Sequence, residues 1–114
     1  QSGSADIGEA GQEQLRKISA ALNEIAPKIP SELKWVLRVD GHTDTVPIFT
    51  DRFRSNWELS SARALSVVNY LTAQGVPPSH LAAAGFGQFH PLDPANNDTA
   101  RARNRRIELK LTER

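Results

Sequence analysis

The apolar residues of the chain change period several times, and each change marks an element. Leu15, Ile18, Leu22 and Ile25 fall at i, i+3, i+7 and i+10, on one face of a helix. Glu9 and Glu13 lie early in that segment, where carboxylates suit the positive end of a helix, and Pro27 and Pro30 end it. From "LKWVLRVDG" onward the period is two. Trp35, Leu37 and Val39 alternate with Lys34, Val36 and Arg38, which predicts a strand with one well-buried face, closed by Gly41.

Residues 41–55 read as a loop, with Pro47 and several polar side chains. Ser55 and Glu58 then form an S-x-x-E capping box, which satisfies two orphan backbone donors at a helix start. This second helix should run to about Gln74, with Gly75 as its stop and Pro77-Pro78 beyond it. Its predicted core face is Ser61, Ala64, Leu65, Val68 and Leu71. "HLAAAGFG" predicts a short apolar strand, "QFHPLDPANND" a turn-rich loop, and "TARARN" a helical turn. In "RIELKLTER", Ile107, Leu109 and Leu111 alternate with Glu108, Lys110 and Thr112, the pattern of a half-exposed strand. There is no internal repeat and no low-complexity segment. These elements predict an α/β (α+β) two-layer sandwich, a mixed β-sheet with helices packed on one side. A further strand ahead of Gln1, trimmed from this stretch of chain, would complete it.

Composition narrows the function classes. A length of 114 residues suits one domain over 1–114 with a modest core. Hydrophobic content of 39% and charged content of 24% are ordinary for a globular chain. A net charge of +1 argues against a broad basic field for nucleic acid. The absence of cysteine excludes disulfides and thiolate metal sites, without identifying a redox compartment. No apolar run approaches the roughly 18 residues of a membrane span, and no signal segment opens the chain.

The candidate chemistry starts in "VDGHTDTVPI", residues 39–48, directly after the first strand. His42 and Asp44 are metal-ligand types, and His80 and His90 occur elsewhere, but H-x-D falls short of the three ligands a catalytic zinc needs. The bland alternative is that His42 orders the loop. No serine sits in a G-x-S-x-G elbow. "RARNRR" carries four arginines in six residues, yet Asp93 and Asp98 lie just upstream and aromatic content is only 6%, so stacking platforms for nucleic acid are scarce. Arginine also recognises carboxylates bidentately. Asn56, Ser60 and Arg63, at i, i+4 and i+7, share one face of the second helix, from which Arg63 can reach the loop holding Asp44. Two readings stay open: a structural salt bridge, or a clamp in which the carboxylate takes an ammonium and the guanidinium a carboxylate.

Taken together, "GHTD", "SNWELSSARALSVVNYL", "GFG" and "RARNRRIELKL" resemble the OmpA-like peptidoglycan-binding domain. The family pattern N-x-x-L-S-x-x-R-A-x-x-V is met by Asn56, Leu59, Ser60, Arg63, Ala64 and Val67, and N-R-R by Asn104, Arg105 and Arg106. "SGSAD" and "SNWELS" carry a finer likeness to the MotB-like branch, the flagellar stator proteins and their relatives. The resemblance implies a β-α-β-α-β-β sandwich that binds peptidoglycan without catalysis and without a metal or other cofactor. Carried over by position, Asp44 would take the ammonium of the stem peptide's diaminopimelate and Arg63 its carboxylate. Thr43, Asn56, Leu59 and Arg105 would line the same pocket, with His42 supporting the loop. The resemblance further implies a periplasmic, homodimeric domain whose parent protein is anchored in the inner membrane, as in a motor stator. The insert "TVPIFTDRFR", with Ile48, Phe49 and Phe53, covers the pocket or meets a partner. Two rival functions remain: a protein interaction module in which Asp44 and Arg63 are only structural, and a metal-dependent wall hydrolase using His42 and Asp44.

Overall fold

The computed structural model describes residues 5–113. Helix α1 (Glu9–Ile25) leads through a single 3-10 turn to strand β1 (Trp35–His42). Helix α2 (Asn56–Ala73), strand β2 (Leu81–Gly85), the short helix α3 (Asp98–Asn104) and strand β3 (Arg106–Glu113) follow. The sheet order is β2-β1-β3. β1 runs parallel to β2 and antiparallel to β3, so the sheet is mixed, as the alternating elements predict. The further strand expected ahead of α1 does not fall within the described residues.

Alternation along β1 gives the sheet two unlike faces. Trp35, Leu37 and Val39 point toward the helices and pack with Leu15 of α1 and with Ala64, Val67 and Leu71 of α2. Ile107 and Leu109 of β3 close the same core from the side. The other face is polar. Arg38, Asp40 and His42 of β1 lie opposite Lys110, Glu108 and Arg106 of β3. Arg38 grips the fully buried Asp40 through two hydrogen bonds, of 2.7 and 2.9 Å, which offsets the cost of removing that carboxylate from water.

Three sequence expectations are corrected. First, β1 does not stop at Gly41 but continues to His42. Gly41 and Gly85 are cross-strand partners beneath α2, and a Cβ on Gly41 would lie 2.1 Å from the Ser60 carbonyl oxygen. The glycine therefore permits close approach of a helix; it does not end the strand. Second, that docking rotates α2. Its buried stripe is Asn56, Leu59, Ser60, Ala64, Val67 and Leu71, whereas Leu65 is half exposed and Ser61 lies outside the buried set. The polar face of the sequence reading is thus partly the buried face. Third, Ile25 ends α1 half exposed, because the chain turns away at Pro27 before a partner can cover it.

The helix boundaries follow their chemistry. The Ser55 hydroxyl accepts from Glu58 N, and the Glu58 carboxylate accepts from Arg54 N at 3.0 Å, one residue further upstream than an ideal capping box. Gly75, at φ 99°, takes the left-handed conformation that terminates α2. No helix among the described residues is long and apolar enough to cross a membrane.

Candidate functional site

The loop after β1 is held from three directions. Thr43 N donates to Gly87 O at 2.9 Å, and Thr43 Oγ1 donates to Asp44 O at 3.0 Å. Asn56, at the first turn of α2, uses its amide as a staple: Nδ2 donates to Val46 O at 3.1 Å, to Gln88 Oε1 at 2.9 Å and more weakly to Asp44 O. Ser60 ties α2 to the Gly87 turn, donating to Trp57 O and accepting from Gly87 N. Buried backbone polar groups need such partners, and here they arrive from elements distant in sequence.

Asp44 is buried, and both of its carboxylate oxygens are engaged. Oδ1 accepts from Val46 N at 3.0 Å, and Oδ2 lies 2.6 Å from Arg105 Nη1. Arg105 leaves α3 at its last cap and enters the site from beside β3. Arg63 stands half-buried on α2. Burial, followed by the nearby Arg105 charge, pushes its pKa below the ordinary arginine value, while Asp44 pushes it back up. Arg63, Arg105 and Asp44 therefore form one electrostatic group, and Arg63 stays charged at any physiological pH. Arg63 and Arg105 also line a cavity of about 450 Å³ whose other walls include Asp6, Ile7, Leu15, Val67 and Ile107.

Leu59 lies apart from this polar group. It is buried in a small apolar cluster with Ala5 and Phe53. The insert divides accordingly: Phe53 anchors it to that cluster with Ile48 packed alongside, and Phe49 stays in solvent. Asn104, which precedes Arg105, is buried and accepts from Leu92 N and Asp93 N while donating to Asp93 O. It fixes the point from which Arg105 departs.

The arginine run has an acidic partner at each position. Arg101 pairs with Asp98, Arg103 with Asp93 at 3.6 Å, Arg105 with Asp44, and Arg106 with Glu108 at 2.6 Å. His80 stands apart from the other two histidines, whose rings meet edge to face at 6.3 Å. His80 stacks on Trp35 with ring centroids 4.0 Å apart, His42 stacks on Phe86, and His90 lends its carbonyl to Arg106. His42 belongs to the polar sheet face with Glu108, while Asp44 turns to Arg105. Among the described residues no three His, Cys, Asp or Glu side chains gather as a metal site would require.

Sequence spacing brought Asp44 and Arg63 together but did not single out Arg105 as the direct partner of Asp44. The N-R-R motif was the available signal. Gln88 carried no signal, and Asp6 entered only as the last residue of the "SGSAD" likeness.

Comparison with known proteins places this arrangement. The chain is 35% identical to Bacillus subtilis YtxE over 91% of its length and 42% of that protein. It is 33% identical to Motility protein B of Helicobacter pylori over 75% of this chain and 33% of that one. The crystal structure of the MotB periplasmic domain from the same organism superposes with a TM-score of 0.84 at 26% identity, covering 99% of this chain and 68% of that one. The Peptidoglycan-binding protein ArfA of Mycobacterium tuberculosis is 34% identical over 77% of this chain and 26% of its own length. The chain thus spans well under half of the curated relatives it matches. The OmpA family model matches residues 1–105. With nearly the whole chain matched, and with the sheet and helices of a MotB periplasmic domain, the chain belongs to the OmpA family.

Proposed function

We propose that residues 1–114 form one peptidoglycan-binding domain that anchors a larger envelope protein to the cell wall and performs no catalysis. The observation that carries this reading is the Asp44–Arg105–Arg63 group, one buried carboxylate beside two guanidiniums that line a cavity. A diaminopimelate side chain ends in an ammonium and a carboxylate on the same carbon. Its ammonium would share the Asp44 carboxylate, and its carboxylate would take Arg63, with Arg105 bridging the two. One internal ion pair is thereby replaced by a matched set of charges in a partly dry site, which favours a zwitterion over either charge alone. Thr43 and Asn56 hold the loop in place, and Leu59 supports it from the core.

The kinship with Motility protein B and with a protein named for binding peptidoglycan supports the same reading. It extends to a periplasmic location, a parent tethered in the inner membrane in the manner of a motor stator, and a homodimer. Co-sedimentation with purified sacculi tests it. The wild-type domain should pellet, and Asp44→Ala and Arg63→Ala should stay in the supernatant with unchanged circular dichroism. Pelleting by both variants would remove the clamp from consideration.

A further inference from the structure

The peptide clamp leaves one conspicuous feature unused. Trp57 and Phe89 lie against each other in solvent, with ring centroids 5.0 Å apart and planes inclined by 31°. Each remains more than half exposed, at 53% and 57%. Large exposed aromatic surface has a cost in water and commonly marks a place where something docks. The pair is also built rather than incidental. Ser60 Oγ donates to Trp57 O and accepts from Gly87 N, so one serine ties the backbone beneath both rings. Gly87, at φ 63°, takes the left-handed turn that brings Phe89 back over the helix start, and a Cβ there would crowd the Phe89 ring at 3.3 Å and touch Trp57 at 3.5 Å. The residues just before the two aromatics, Asn56 and Gln88, are hydrogen-bonded to each other at 2.9 Å.

The same Asn56 amide holds the backbone of the Asp44 loop, so the aromatic pair and the charged clamp share one scaffold. We infer that Trp57 and Phe89 form a platform for a pyranose ring of the glycan strand from which the bound stem peptide hangs. This rests on the peptidoglycan reading above and adds a second ligand class to it. A peptide held at Asp44 is attached to a sugar only a few residues away, within about 10 Å for three extended residues. A pyranose offers a flat patch of polarised C–H bonds to the negative face of an aromatic ring, while its hydroxyls stay in water at the rim. Ring surface already fixed in position loses little entropy on binding.

Isothermal titration of the intact chain with two probes tests the inference. One is a disaccharide–tripeptide carrying diaminopimelate, and the other is the same peptide without its sugars. Wild type should bind the sugar-bearing probe three- to tenfold more tightly. Trp57→Ala and Phe89→Ala should each lose that advantage and keep the wild-type Kd for the bare peptide, which also reports that they fold. Equal affinity of wild type for both probes, or an unchanged sugar advantage in both variants, would overturn the platform while leaving the clamp intact. Binding of neither probe by wild type would overturn the peptidoglycan reading and the platform with it.

Discussion

The carboxylate of Asp44 and the guanidinium of Arg105 meet at 2.6 Å across 61 residues of sequence. Asp44 is buried in its loop, whereas Arg105 is one-third exposed and lines the cavity. Removing Arg105 takes away the 2.6 Å contact to Oδ2 and leaves the Val46 N bond to Oδ1 in place. Arg105→Ala should therefore lower stability by about 1–2 kcal/mol, a charged hydrogen bond discounted for partial solvent screening. In a double-mutant cycle with Asp44→Asn, read by urea unfolding, the two changes should be less than additive. Strict additivity would mean that the pair contributes nothing to the fold.

Gly41 tests how α2 is seated. A methyl group there would approach the Ser60 carbonyl to 2.1 Å, and that oxygen belongs to helix backbone, which cannot swing aside. Gly41→Ala should push α2 off the sheet and cost about 1–3 kcal/mol, in the range of an overpacked core. For a domain of this size that is a fall of at least about 4 °C in Tm. An unchanged Tm would show that the helix has slack over β1.

The polar sheet face predicts a pH dependence. Among the described residues neither ring nitrogen of His42 has a hydrogen-bond partner, and the ring is stacked on Phe86 at 5.1 Å. Burial, and then the Arg106 charge, disfavour the imidazolium, while Glu108 and Asp40 pull the other way and His90 adds to the disfavour. The net effect holds the pKa below the ordinary 6.5. The unfolded chain then binds this proton more readily than the folded one, so stability falls as pH drops from about 6.5 toward the folded value and levels off below it. Glu108, whose pKa Arg106 lowers from 4.5, loses its contribution only in a more acidic window. His42→Phe keeps the ring and removes the titration. Its stability should stay flat between pH 6.5 and the carboxylate range, and an unchanged slope would assign the effect elsewhere.

Elements with local signals were legible in the sequence. The Ser55–Glu58 cap, the Gly75 stop and the alternation of Trp35, Leu37 and Val39 each act through neighbours a few residues away, so spacing alone carries them. The rotation of α2 was not legible, because it depends on two glycines in different strands meeting one serine pair. Leu65 looks like a core residue on a helical wheel and is half exposed for that reason. The site divides the same way. Asp44 and Arg63 stood out as chemistry on a loop and a helix face. The pairing of Asp44 with Arg105 arises only when Asn104 pins the turn before β3. Likewise, "RARNRR" reads as a basic patch, but folding gives each arginine its own carboxylate.

Arg63 carries the specificity of the proposed clamp. Arg63→Ala should weaken peptide binding by roughly ten- to a hundredfold, the loss of one charge-assisted partner at about 1.5–3 kcal/mol. Arg63→Lys keeps the charge and loses the planar fork, so its Kd should lie between wild type and alanine. A lysine variant equal to wild type would reduce the role of Arg63 to that of a point charge.

The most direct measurement uses two stem peptides that differ by one carboxylate, one with diaminopimelate and one with lysine in its place, titrated into wild type and Arg63→Ala. Both peptides carry the ammonium for Asp44, and only the first carries the acid for Arg63. The expected result is a preference of tenfold or more for diaminopimelate in wild type that disappears in Arg63→Ala. Equal binding of the two peptides by wild type, or a preference that survives the loss of Arg63, would contradict the zwitterion clamp.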